Sequence, residues 1–123
     1  MKFLEELKKL NLPKDKYAIF GSGVLAAHGI RENKDLDIIA KKDLFKELSK
    51  KYELNEKGAV KIGEIEIFIY WPPFKELDSL IDDAEIINGI RFVKLDKVVE
   101  WKKYRNNEKD QNDIKLINKF IKG

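Results

Sequence analysis

Residues Tyr17 to Ala40 read YAIFGSGVLAAHGIRENKDLDIIA, and this stretch decides the fold. Tyr17 to Phe20 is a short apolar run that stops at Gly21-Ser22-Gly23, the pattern of a buried strand delivering the chain to a tight turn. Val24 to His28 then has helical composition. After the polar stretch Arg31 to Lys34, the segment Asp35 to Ala40 alternates acidic and apolar residues before becoming wholly apolar, as a strand entering a core does. Strand, turn, helix, loop and strand follow in that order. Because side chains alternate along a strand, Asp35 and Asp37 share one face with Cα atoms roughly 7 Å apart, while Leu36 and Ile38 face the other way.

The flanking sequence supplies the rest of a small domain. Phe3, Leu4, Leu7 and Leu10 recur at helical spacing, which predicts a helix from Lys2 to about Leu12 ended by Pro13. Asp43 is expected to cap a helix running to about Tyr52. Ala59 to Ile62 and Glu64 to Tyr70 flank Gly63 as consecutive strand segments, read as an antiparallel hairpin ended by Pro72-Pro73. Glu76 to Asp83 reads as a short helix. Asn88-Gly89 between Glu85–Ile87 and Ile90–Val93 is the strongest turn signal in the chain, because a type I′ turn needs positive φ at both central residues. Two helices, about Leu95 to Arg105 and Glu108 to Lys122, close the sequence, the second with Ile114, Ile117 and Ile121 on one stripe. The expected fold class is α+β: residues 1 to 123 form one domain, a small mixed sheet flanked by helices with a helical pair at the C-terminal end.

Composition narrows the function. With 123 residues, 43% hydrophobic and 38% charged, the chain is neither disordered nor membrane-spanning. The first residues, MKFLEELKKLNLPK, mix charge with apolar residues and lack the uninterrupted apolar core of a signal peptide, so a cytoplasmic location is expected. The absence of cysteine removes disulfides, cysteine-zinc sites and thiol catalysis, and leaves a hard-metal site open. A net charge of +3 is too balanced to argue for nucleic-acid binding through bulk charge. Abundant Lys, Glu and Ile with no Thr resemble the composition of heat-adapted, thermophile proteins.

Acidic pairs spaced by two occur five times along the chain, about as often as chance allows, so Asp35-Leu36-Asp37 is informative only through its position. It opens an apolar strand shortly after a strand-terminal Gly-Ser turn, where backbone N–H groups and a hydroxyl can face a phosphate. Two carboxylates at this spacing suit a pair of magnesium or manganese ions about 4 Å apart. The segment resembles the signature of the DNA polymerase beta-like nucleotidyltransferase superfamily, in which an apolar residue is followed by Gly, then Gly or Ser, then acid-apolar-acid. Gly21, Ser22, Asp35 and Asp37 match it. With His28-Gly29, Arg31 and Ile38 added, the stretch is similar to small prokaryotic minimal, abortive-infection-type and antibiotic nucleotidyltransferases. Trp101-Lys102, Arg105, Lys109-Asp110 and Asp113-Ile114 resemble more loosely the basic helical element of those relatives.

The resemblance implies a nucleotidyltransferase that binds an NTP such as ATP with Mg2+ or Mn2+ and transfers a nucleoside monophosphate to a hydroxyl acceptor, with release of pyrophosphate. Asp35 and Asp37 would be metal ligands, and Gly21 and Ser22 would hold the β and γ phosphates. The third carboxylate is assigned to Glu66, deeper in its strand than Glu64, where those families usually carry Asp. Arg31 is expected to contact phosphate or to pair with Asp35. Lys102, Arg105 and Lys109 recur at helical spacing across the last two helices and are expected to form one basic face toward the triphosphate. Trp71 could stack on a base or pack beside its turn, Trp101 is expected in the core, and His28 reads as packed. The acceptor could be a small molecule, an RNA end or a protein hydroxyl, and a homodimer or partner protein could complete the cleft. The second reading is an inactive NTP-binding, antitoxin or assembly module of the same fold. An RNA-binding protein without nucleotide chemistry finds no basic and aromatic cluster to support it.

Overall fold

The computed structural model describes residues 1–123. In chain order the elements are α1 (Leu4–Lys9), β1 (Tyr17–Phe20), α2 (Ser22–Ala27), β2 (Leu36–Ala40), α3 (Lys42–Lys51), β3 (Val60–Ile62), β4 (Ile65–Phe68), α4 (Asp78–Asp82), β5 (Glu85–Ile87), β6 (Ile90–Phe92), α5 (Leu95–Arg105) and α6 (Glu108–Lys122). Six strands form one mixed sheet in the order β3-β4-β2-β1-β6-β5, which makes the class α+β. The two central strands run antiparallel, and each has a parallel neighbour on its outer side, β4 beside β2 and β6 beside β1. Hairpins close both edges.

The central strands are apolar because both faces of the sheet are covered. All four residues of β1 are buried, as are Leu36, Ile38, Ile39 and Ala40 of β2. The register sorts the side chains into two faces. Ile19, Ile38 and Ile67 lie side by side on one, and Phe20, Asp37 and Glu66 on the other. Helix α2 covers the isoleucine face. A Cβ added at Gly23 would come within 2.6 Å of Ile19 Cγ2 and 3.0 Å of Leu36 Cδ1, so glycine is what lets this helix approach the sheet. On the opposite face Phe20 stacks on Trp71, with centroids 4.6 Å apart, and Phe68 and Trp101 pack around the same indole.

The edge hairpins follow their turn residues. Asn88 and Gly89 both have positive φ, 50° and 81°, as a type I′ turn requires. Gly63, at φ 59°, turns β3 into β4 and leaves Glu64 in the loop. Three expectations need correction. Asp43 does not cap α3: the cap position is Lys41, and the Asp43 carboxylate accepts from the Leu44 N–H and pairs with Lys16. Helix α1 is shorter than its apolar spacing suggests and stops well before Pro13. On α6 the stripe fails at its end, because every residue after Ile117 is exposed, Ile121 included. No helix is long and apolar enough to cross a membrane.

Candidate metal centre

Three carboxylates meet on the face opposite α2. Parallel pairing of β2 with β4 sets Asp37 directly against Glu66, and Asp35 precedes β2 by one residue. One oxygen from each of Asp35, Asp37 and Glu66 lies within 4.8 Å of the others. Glu64, the less favoured of the two glutamates on this segment, is exposed in the turn. The chain holds Asp35 in place through Asn33, a fully buried amide whose Nδ2 donates to the Asp35 carbonyl at 2.9 Å and to the Lys2 carbonyl at 3.0 Å, while its Oδ1 accepts from the Lys2 N–H.

Like charges at this separation repel by about 3 kcal/mol per pair at an effective dielectric of about 20, so the cluster needs compensation. Glu66 receives some. Its Oε2 accepts from Asn55 Nδ2 at 2.6 Å, and the Lys57 ammonium lies 3.4 Å from its Oε1. Asp37 receives less: its Oδ1 is buried without any hydrogen-bond partner. Burial, then repulsion from Asp35 and Glu66, pushes the Asp37 carboxyl up to about 7, against a smaller downward pull from Lys57 and Arg105. A divalent cation would relieve both the orphaned oxygen and the repulsion. The donors are all hard oxygens, the set that selects magnesium or manganese over softer metals. Glu66 would bring a carboxylate already steadied by Asn55.

The Gly21-Ser22 turn lies against this cluster. Gly21 adopts φ 66° and ψ −143°, and a Cβ built on it would stand 3.6 Å from Asp37 Oδ2. That is an ordinary contact, so what demands glycine here is the backbone conformation, which is closed to other residues. No side chain caps the start of α2, so Ser22 does not perform the capping role open to it.

The basic residues lie differently from the expectation. Lys102 is 1% exposed, its Nζ 2.9 Å from Asp113 Oδ2 and 3.5 Å from Asp110 Oδ1, so it faces into an internal ion network and not toward the cleft. Arg31 pairs through Nε and Nη2 with both oxygens of Asp113, at 2.7 and 2.8 Å, and not with Asp35. Arg105 is bonded to both oxygens of Asp110, but its guanidinium also lies 4.2 Å over the Trp101 ring and lines a cleft beside Asp37. No single basic face therefore forms across α5 and α6. The cause is burial: Asp110 and Asp113 point inward, and each buried carboxylate must take a cation. Trp71 and Trp101 are 6% and 9% exposed and both pack in the core. His28 sits 3.2 Å from Glu85 without a hydrogen bond and meets the Phe120 ring edge-on.

Asn55 and Lys57 are site residues with no precursor in the sequence reading. They lie in the loop before β3, where Asn55 Oδ1 accepts from the Lys57 and Ala59 N–H groups and closes a tight Asx turn ending at Gly58. The Asn-x-Lys-Gly composition signals that turn, but nothing local says that it reaches back to Glu66. Comparison with protein-family models, curated proteins and solved structures finds no match.

Proposed function

We propose that this chain is a metal-dependent nucleotidyltransferase of the DNA polymerase beta-like superfamily, with that superfamily's fold. It would transfer a nucleoside monophosphate from an NTP to a hydroxyl acceptor. The observation that carries the reading is the convergence of Asp35, Asp37 and Glu66 beside the Gly21-Ser22 turn, with the buried Asp37 Oδ1 left unpartnered. A purely structural acidic cluster has no need to gather three mutually repelling carboxylates around an unbonded oxygen.

Asp35, Asp37 and Glu66 would hold Mg2+ or Mn2+, which when bound supplies charge neutralisation at the triphosphate and activates the attacking oxygen. Gly21 stands beside Asp37, and Gly21 and Ser22 would receive the β and γ phosphates. Lys57 takes the phosphate-facing role expected of Lys102, because it is the ammonium that lines the cleft with Asp37. Arg105 adds a second positive charge there. Glu66, held by Asn55, would position or deprotonate the acceptor hydroxyl. Retention of all three acids favours an active enzyme over an inactive assembly module.

Two measurements test this. NTP with magnesium or manganese should raise the melting temperature more than metal alone, a ligand at about a hundred times its Kd adding roughly 2.7 kcal/mol. Incubation with α-labelled NTPs and metal should then give metal-dependent self-labelling or pyrophosphate release that Asp37→Asn abolishes. No melting shift with any NTP at millimolar concentration would contradict the reading.

A further inference from the structure

Next to the carboxylates lies a cleft of about 330 Å³ that includes Asp37 in its lining, at the small end of ligand cavities. Its walls are mostly rings. Phe68, Trp71 and Trp101 pack against one another and belong to the core. Tyr70 and Tyr104 line the same cleft, yet they are 73% and 62% exposed. One follows β4 and the other sits on α5, so distant parts of the chain bring two solvent-facing rings to one opening. Exposed single aromatics are ordinary, but two beside a built cavity form an apolar surface without a partner. The cleft also carries two cations, Lys57 and Arg105. A ligand that matches it has a planar ring for the tyrosines and negative charge for the cations.

We propose that this cleft holds the nucleobase of the nucleoside triphosphate, stacked on Tyr70 and Tyr104, an inference that rests on the nucleotidyl-transfer reading above. The lining also sets the specificity. It contains no Asn, Gln, Ser or Thr to read a base edge, and its two cations are already held by carboxylates, Lys57 at 3.4 Å from Glu66 Oε1 and Arg105 by both oxygens of Asp110. Stacking is tolerant of base identity and grows with ring area. The cleft therefore favours purines over pyrimidines and discriminates weakly between adenine and guanine.

The only two tryptophans of the chain, Trp71 and Trp101, both line the cleft, so their fluorescence reports a ring entering it. The experiment titrates the protein with magnesium complexes of ATP, GTP, CTP and UTP, with magnesium tripolyphosphate as the probe lacking a base, and with adenosine as the probe lacking phosphate. ATP and GTP are expected to quench alike and to bind more tightly than CTP and UTP, whereas tripolyphosphate binds, by calorimetry, without quenching. Tyr104→Ala is expected to weaken ATP about tenfold and to leave tripolyphosphate unchanged, and Tyr104→Phe to restore ATP binding. Equal ATP affinity in the wild type, Tyr70→Ala and Tyr104→Ala, or ATP binding that leaves fluorescence unmoved, would overturn the proposal. If adenosine quenches through a Tyr104-dependent site while tripolyphosphate fails to bind, the cleft stands and the carboxylate reading falls.

Discussion

Asp37 has one buried oxygen without a partner and two acidic neighbours, and its titration follows from that. A carboxyl whose pKa rises on folding, from 3.8 to about 7, keeps a proton in the folded chain that the unfolded chain has released. Its stabilising contribution is complete below about pH 4 and is lost as pH rises through about 7. Metal-free protein should therefore lose stability across that interval in urea melts with chelator present. Asp37→Asn should remove that component of the slope and, at about pH 8, be as stable as the wild type or more stable by about 1–3 kcal/mol. A loss of several kcal/mol would mark Asp37 as a structural residue. A cation must also displace the Asp37 proton, so Mn2+ affinity measured by calorimetry should climb between about pH 6 and pH 8 and then level off.

Elements rather than residues decide how far a sequence can be read. The boundaries of β1, α5 and α6 were legible because each begins or ends on a signal carried by its own residues: the glycines after Phe20, and Asn106-Asn107 between the helices. Asn106 takes φ 53° and Asn107 caps α6 in a capping box with Asp110. The placement of Asp35 and Asp37 on one face was legible for the same reason, since alternation is local. What could not be read was which helix face turns inward. Lys102, Asp110 and Asp113 look like solvated charge along the chain, yet they are buried and satisfy one another across α5 and α6, with Arg31 closing the network from the loop before β2. Burial raises the Asp113 pKa, but hydrogen bonds from Arg31 and Lys102 outweigh it and hold the carboxyl at about 2. Its contribution is present above about pH 4 and is lost as pH falls toward 2. Asp113→Asn should cost about 3 kcal/mol at pH 7 in denaturant melts, because it leaves Lys102 buried with a weakened partner. A cost below about 0.5 kcal/mol, the level of an ordinary surface change, would contradict this account of the network. On the other face, Gly23→Ala should destabilise by about 1–3 kcal/mol, since its Cβ would meet Ile19 at 2.6 Å. An unchanged urea midpoint would mean that α2 can lift from the sheet without cost.

Taken whole, the molecule is a mixed sheet that uses its two faces differently. One face is closed by α2 over Ile19 and Leu36; the other carries the acids beside an aromatic cleft. The order of strands makes this division possible, because the parallel neighbour β4 puts Glu66 level with Asp37, whereas the antiparallel neighbour β1 ends at Phe20 and hands the chain to Gly21 next to it. The central claim is that Asp35, Asp37 and Glu66 act together as ligands of a divalent cation that meets the triphosphate of an NTP. Crystals grown with Mn2+ and a non-hydrolysable NTP test it most directly, through the anomalous scattering of manganese. The account predicts manganese bound by carboxylate oxygens of Asp35, Asp37 and Glu66 and by phosphate oxygens, with Gly21 and Ser22 against the phosphates. Manganese bound elsewhere, or nucleotide bound away from these three carboxylates, would contradict it.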